Sequence, residues 1–396
     1  MERQRVPSVP ESVRLASRWL TGSGIQNESR DRRLRGGVAA WYEIDRKVYP
    51  FLYSEITGYA LSAWIFLNKV LKTRRYLKHS GQAAQWLMRH AAAPGGGVKT
   101  RFYLVKHYVS PNYCFHHGRV YAFDTSMVGY GVLQLYRETK QIEHLESAHR
   151  LLRFLIDKMR RKDGLFYAYY DSKTGSVGQD LEKWSDQAGS FHAKLALFFV
   201  DYYLLTQKDE ARSVATRLLD TVVKNQKPDG RFVTGLADDS THLHPHAYTL
   251  EGLLYGGVYL KKEAYLKSAR KGFEWMLKGV SEDGSVSSNF VKGLFSHHER
   301  SDIVAQALRV GSVLCALYPE LKPKLSPTLE RIRQHLLLFQ NKEGVRQRGG
   351  FLYGAATDGL MRPHLNAWAT MFALQALWMH EQFVAKRKPL DLASFV

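Results

Sequence analysis

Six glycine-centred turns recur along the chain, each set between a charged amphipathic helix and a helix that is apolar almost all round. The turns read Gly36-Gly37-Val38, Gly95-Gly96-Gly97-Val98, Asp163-Gly164-Leu165-Phe166, Asp229-Gly230-Arg231-Phe232, Asp283-Gly284-Ser285-Val286 and Gly349-Gly350-Phe351. Gly-Gly and Asp-Gly pairs suit backbone with positive φ, which residues bearing a Cβ resist. The helix before each turn is striped. In 145–159, Leu145, Ala148, Leu152, Leu155, Ile156 and Met159 recur at helical spacing with charge between them. The helix after each turn differs. Stretches beginning near Ser54, Asp124, Asp186, His246, Asp302 and Pro363 are apolar on nearly every face. Gly58, Gly129, Gly131, Gly189 and Gly252 leave room there for close helix contact. A helix without a wet face belongs inside, so each unit pairs one inner with one outer helix.

Outer helices are expected near Thr73, Gln141, Lys208, Lys262 and Leu325, after the first five inner ones. The sixth inner helix, Pro363 to Lys386, is left with only the N-terminal helix, Pro10 to Trp19, as partner. Pairing the chain ends closes a ring and leaves no terminal repeat exposed. The sequence predicts an all-α fold, an (α/α)6 toroid of six inner and six outer helices, with short β-like turns at one or both rims. Residues 1–396 form a single domain in this reading. An open helical solenoid is the alternative.

The inner helices open on polar groups, and in a ring these ends converge on one mouth. Helix N-termini carry unsatisfied N–H groups and partial positive charge, which suit anions and hydroxyl-rich ligands. The openings are Tyr53-Ser54-Glu55, Phe123-Asp124-Thr125-Ser126, Trp184-Ser185-Asp186-Gln187 with Ser190 and His192, His244-Pro245-His246-Ala247-Tyr248 with Glu251, His297-His298-Glu299-Arg300-Ser301-Asp302, and Arg362-Pro363-His364-Leu365-Asn366. Ser54, Asp124, Ser185 and Ser301 are ordinary cap residues. Capping does not account for carboxylates, histidines, tyrosines and arginines at equivalent places.

Glu251 lies a turn inside an apolar helix. Desolvation there should raise its pKa, as a general acid requires, with His246 close by. A buried Glu251 paired with a neighbour such as Arg300 is the alternative. Glu55, Asp124 and Asp186 would hold a sugar or activate water, and Tyr248 and His246 complete the candidate catalytic set. The candidate substrate-binding set is Tyr53, Tyr59, Trp184, His192, His244, Arg300, Asp302, Arg362, His364 and Asn366. In it, the arginines would clamp a uronate or sulfate, and the histidines would donate to it or move protons. Aromatic residues such as Trp41, Tyr103, Tyr169 and Phe351 crowd the turns and helix entries, where sugar rings could stack.

Composition narrows the partners. A formal net charge of +20 over 396 residues draws in anions of any kind. No RRM, KH, zinc-finger or helix-turn-helix pattern accompanies it, so nucleic acid is not expected. An acidic oligosaccharide or polysaccharide fits, and peripheral contact with anionic lipid is an option. The two cysteines, Cys114 and Cys315, are read as reduced packing residues. His116-His117 and His297-His298 are too loosely patterned for a metal site, and no nucleotide-binding loop or cofactor motif is present. No apolar run reaches the roughly 18 residues of a membrane span, and the polar start of the chain predicts a cytoplasmic protein. The sequence is silent on oligomeric state.

The repeat resembles the six-hairpin glycosidase-like superfamily over almost the whole chain. It is similar to uncharacterised proteins of polysaccharide gene clusters in Tyr49-Pro50-Phe51-Leu52-Tyr53-Ser54-Glu55-Ile56-Thr57-Gly58-Tyr59, in the Phe123-Asp124-Thr125 helix start, and in His246-Ala247-Tyr248-Thr249-Leu250-Glu251-Gly252-Leu253-Leu254. The resemblance implies a role in processing or modifying a surface polysaccharide. Pro245-His246-Ala247-Tyr248-Thr249-Leu250-Glu251-Gly252 also resembles a helix start of N-acylglucosamine 2-epimerases, with Tyr248 in place of a histidine. The leading expectation is a glycoside hydrolase with Glu251 as general acid. A uronate lyase or sugar epimerase using tyrosine and histidine proton transfer is the second, and a non-catalytic glycan-binding protein the third.

Overall fold

The computed structural model describes residues 9–106, 108, 118–296, 298–355, 359–384, 392 and 395. Cys114, His116, His117 and His297 lie outside them, and Cys315 is buried without a disulfide.

The inner helices are α2 (Ser54–Val70), α4 (Ala122–Thr139), α6 (Ala196–Thr206), α8 (Leu243–Tyr259), α10 (Ser301–Leu317) and α12 (Ala367–Val384). Each packs on the next, and α12 returns to α2, so the ring closes. The outer helices α3 (Leu77–Trp86), α5 (Ile142–Phe154), α7 (Asp209–Lys224), α9 (Glu263–Met276) and α11 (Lys322–Leu338) each pack on the inner helix before them in the chain. The sixth outer helix is α1 (Glu11–Gly22), which packs on α12. Val13, Ala16, Trp19 and Leu20 of α1 are buried in that contact's core. The first and last described helices thus form the sixth pair.

Small residues set the helix spacing. A Cβ on Gly58 of α2 would lie 2.9 Å from the Val128 backbone of α4, and one on Gly131 would lie 2.4 Å from the Gly58 carbonyl oxygen. The backbones touch there, so neither position tolerates a side chain.

Among the described residues, four small antiparallel sheets link adjoining sectors on the side where the inner helices begin. β2 (Phe51–Tyr53) pairs with β3 (Arg101–Tyr103), β4 (Arg119–Tyr121) with β5 (Tyr169–Asp171), and β7 (Thr241–His242) with β8 (Asn289–Val291). β6 (Val177–Gly178) and β9 (Leu294–Phe295) extend the second and third of these sheets. β11 (Met361–Asn366) lies between β1 (Trp41–Glu43) and β10 (Phe351–Ala355), with Trp41 opposite Asn366 and Glu43 opposite His364.

Side chains near the helix starts bind the turns. Thr57 Oγ1 accepts from the Val38 N–H (2.9 Å), Thr125 Oγ1 from Val98 (3.4 Å), His246 Nδ1 from Phe232 (3.4 Å) and Thr370 Oγ1 from Phe351 (2.9 Å). These residues hold equivalent places in four inner helices, and the equivalent residue of α10 is Val304. A second tie reaches forward. Ser54 donates to the Lys99 carbonyl and Ser301 to the Leu352 carbonyl, each 2.5 Å away in the next sector. Ser54 and Ser301 therefore lace neighbouring sectors together and make no side-chain cap of their own helices.

Two helix starts differ from the sequence reading. The third inner helix does not begin at Asp186. Residues Trp184–Asp186 form a separate 3-10 turn, followed by extended Gln187 and Gly189, and helix resumes as 3-10 at Ser190–Leu195 before α6. Hydrogen bonds hold the break: the Ala188 N–H donates to Gln179 (3.0 Å), and Leu236 N–H donates to the Gln187 side chain (2.9 Å). The sixth begins at Ala367. Arg362, Pro363, His364 and Asn366 lie on β11, where pairing on both sides outcompetes a helix.

Candidate active site

Side chains from the starts of α2, α4, α8 and α10 come together at one end of the ring, and they divide by sector. On one wall α2 and α4 bring Glu55 and Asp124 face to face, with the phenols of Tyr53 and Tyr59 beside Glu55. Burial is the largest influence on both carboxyls. It lifts Glu55 above the usual range and, reinforced by the Glu55 charge, holds Asp124 well above it. Two such groups in contact cannot both ionise cheaply, so the contact favours one proton held between them.

The opposite wall comes from α8 and α10, which stand across the ring from α2 and α4. His244 Nδ1 lies 2.7 Å from Gln306 Oε1 and 3.6 Å from Asp302 Oδ2. Burial pulls His244 down to about 4, so it is neutral. Burial would raise Asp302, but the Arg300 guanidinium keeps it below the usual carboxylate range. Arg300 Nε donates to Asp302 at 3.1 Å and the Trp368 indole N–H at 2.8 Å, which fixes that carboxylate.

Tyr248 forms the floor. Its ring lies 4.4 Å from His244 and 4.9 Å from Phe123, and its hydroxyl feels both Glu55 and Asp302. Trp184 meets the His244 ring edge-on at 5.8 Å, so the third sector borders the same wall. On the rim, His364 is stacked between Trp41 (4.8 Å) and Tyr353 (5.1 Å), and burial lowers it to about 3. Asp186 is 3.8 Å from Arg119, whose guanidinium lies 3.8 Å from the Tyr169 ring centre.

Polar atoms around the mouth lack protein partners. Asp124 Oδ2, His364 Nδ1 and Asn366 Nδ2 are buried with no hydrogen bond among the described residues. Each such atom costs about 1–3 kcal/mol in the empty protein. Native interiors rarely leave polar atoms unsatisfied without a reason, and a ligand rich in hydroxyls would satisfy these.

Several sequence candidates fall elsewhere. Glu251 lies beneath the floor and is fully buried, with Lys194 Nζ at 2.8 Å and Arg309 paired to its other oxygen. Burial would raise its pKa, but Arg309 and Lys194 bring it below the usual value, the reverse of the expected elevation. His246 is not beside it. Five residues turn a helix about 140° past a full circle, and His246 faces outward, against Phe232 and Trp275, donating from Nε2 to the Gly272 carbonyl at 3.1 Å. His192 occupies the corresponding outward place in the third sector, beside the Phe166 backbone, with burial lowering it to about 3. Arg300 pairs with Asp302 rather than Glu251. Arg362 is half-buried on β11, and Asn366 caps α12 by accepting the Ala369 N–H at 2.9 Å.

Lys194 and Arg309 are the groups the sequence reading passed over. Each is a lone cation inside an apolar helix, flanked by Ala193 and Leu195 or by Leu308 and Val310. That is the signal of a buried counter-charge. Lys194 Nζ lies 4.3 Å from the Tyr248 ring centre and 5.0 Å from those of Tyr59 and Phe372, and burial brings it down to about 8. Among the described residues, no group of three or more histidine, cysteine or carboxylate side chains is arranged to hold a metal. No helix among them is long and apolar enough to cross a membrane.

No protein-family model and no curated protein sequence matches the chain. Solved structures do. Cellobiose 2-epimerase from Bacillus thermoamylovorans B4167 superposes with a TM-score of 0.74 at 14% identity, over 92% of this chain and 98% of that one. D-mannose isomerase gives 0.75 at 10% identity, over 96% and 100%. An unsaturated glucuronyl hydrolase specific for heparin gives 0.67 at 13% identity, over 96% and 98%. By its fold, this chain is an (α/α)6 toroid.

Proposed function

We propose that the protein is a carbohydrate-active enzyme, a glycoside hydrolase acting on an acidic, uronate-containing oligo- or polysaccharide. The observation that carries this reading is the buried Glu55–Asp124 pair, which keeps a proton available across the basin from neutral His244. Asp124 gives that proton to the glycosidic oxygen as the bond to the anomeric carbon breaks. His244 takes a proton from the attacking water, and the acid and base are recharged from solvent. With acid and base on opposite walls, water would attack from behind the sugar and the anomeric configuration would invert. The orphaned polar atoms and the stacked rim aromatics suit a sugar. The sugar-processing structural neighbours support the class, and the net charge of +20 supports an anionic polymer. In this reading Glu251 holds the floor in place, and Asp124 takes the acid role first expected of it.

Turnover of uronate oligosaccharides, read as new reducing ends, tests the proposal. Asp124→Asn and Glu55→Gln should each lower the rate by about 100-fold or more. Wild-type protein that binds such chains without cleaving them would make it a glycan-binding protein instead.

One observation favours a second reading. A neutral imidazole beside Tyr248 is also what proton transfer at a carbon α to a carbonyl requires, and two of the structural neighbours are an epimerase and an isomerase. Deuterium uptake from heavy water without new reducing ends would select an epimerase, and an ultraviolet-absorbing product a lyase.

A further inference from the structure

Beneath the basin, a file of side chains runs from the buried charges up to His244. Glu251 is flanked by Lys194 Nζ at 2.8 Å and by the Arg309 guanidinium, all three side chains fully buried. Arg309 is steadied in turn by Gln375 Oε1 at 2.8 Å. Two cations keep Glu251 ionised, and an ionised carboxylate is an acceptor only. Gln306 touches it, with Nε2 3.3 Å from Glu251 Oε1. The other end of the same amide, Oε1, meets His244 Nδ1 at 2.7 Å.

The amide cannot be turned round. Reversed, it would set its carbonyl oxygen against the Glu251 carboxylate, acceptor against acceptor, with both side chains fully buried. Held this way, Gln306 presents a carbonyl oxygen to His244, and only a protonated Nδ1 can satisfy it. Asp302 Oδ2, 3.6 Å from the same nitrogen, is another acceptor and favours the same proton position. Since burial keeps the ring neutral, its single proton is on Nδ1. Nε2 makes no hydrogen bond with the described residues, and the side chain keeps 6% exposure.

We propose that Gln306, locked in one orientation by Glu251, is the positioning residue that sets the His244 tautomer, with the proton on Nδ1 and the lone pair on Nε2. The inference rests on the reading of His244 as the base of the basin, and it gives the Lys194–Glu251–Arg309 cluster a task. The cluster acts on the reaction through an amide flip that it forbids.

The test is a long-range 1H–15N correlation spectrum of the full chain labelled with 15N-histidine, at pH 7, with His244→Gln identifying the signal. Wild type should show a protonated Nδ1 and an unprotonated Nε2. Gln306→Met removes at similar volume the one acceptor within hydrogen-bond distance of Nδ1, Asp302 being too far at 3.6 Å, so it should lose that pattern and shift the proton toward Nε2. Gln306→Glu, protonated on the oxygen that meets Glu251, keeps its other oxygen as an acceptor against Nδ1, so it should restore the wild-type tautomer. Turnover should fall by about tenfold or more in Gln306→Met and recover in Gln306→Glu. A wild-type His244 protonated on Nε2, or an unchanged tautomer in Gln306→Met, overturns the proposal. If Gln306→Met does not fold, the wild-type spectrum decides. The spectra need no substrate, so failure to find hydrolysis would count against the proposed reaction and leave the tautomer result standing.

Discussion

Asp124 makes the stability of the fold depend on pH. Its folded pKa stands well above the ordinary 3.8, chiefly through burial. A group whose folded value is raised favours the fold while protonated. Its contribution is complete below the unfolded pKa and is lost as pH rises through the folded one. In that window the native state takes up protons that the unfolded chain does not, so stability declines as pH increases. Asp124→Asn is neutral throughout and should escape the decline. We expect its thermal midpoint to exceed wild type by about 2–4 °C at pH 8 and to approach it near pH 4, while activity is lost at both. Equal midpoints at pH 8 would show that Asp124 is ionised without penalty. Residue identities were legible in the sequence to the extent that Glu55, Asp124, His244, Tyr248 and Asp302 are polar groups at helix entries. The charge state of Glu251 was not. Its partners Lys194 and Arg309 lie 57 and 58 residues away in the chain, and only the ring brings three helices together around it.

At the scale of the element, the same helical position recurs with Thr57, Thr125, His246 and Thr370, each taking a hydrogen bond from a turn. A histidine serving as a threonine does elsewhere is a brace, and its chemistry follows. His246→Gln should lose part of the brace at a cost of about 1–3 kcal/mol, visible as a lower denaturation midpoint, with kcat within about twofold of wild type. A collapse of kcat at unchanged stability would return His246 to the reacting set. Inner helices were readable because few helices are apolar all round, and α2, α8 and α10 begin within a few residues of where the pattern places them. The third and sixth starts were not readable. Gly189 looked like a packing glycine but lies in extended backbone, and the strand 361–366 depends on partners from both ends of the chain. Neither pairing leaves a local signal.

For the whole molecule, closure was inferred by counting: twelve helices need a partner for the last, and only the N-terminal one was spare. The contact of α1 with α12 meets that need, and the Gln340 amide donating to the Ser12 carbonyl at 2.8 Å joins residues 328 apart. A closed ring distributes strain evenly only if its joints are alike, and the joint at α10 differs from four of the others. Where α2, α4, α8 and α12 fasten their turns with an oxygen or nitrogen, α10 offers the hydrocarbon of Val304. Amide protons report such inequality directly, since a joint that opens locally trades its hydrogen for solvent deuterium before the whole molecule unfolds. We expect the Val286 amide to exchange at least about tenfold faster than those of Val38 and Phe351, and Val304→Thr to slow it. The loosest hinge of the ring would then adjoin the helix that supplies Asp302 and Gln306, so that any breathing which admits a long polymer would start at that sector.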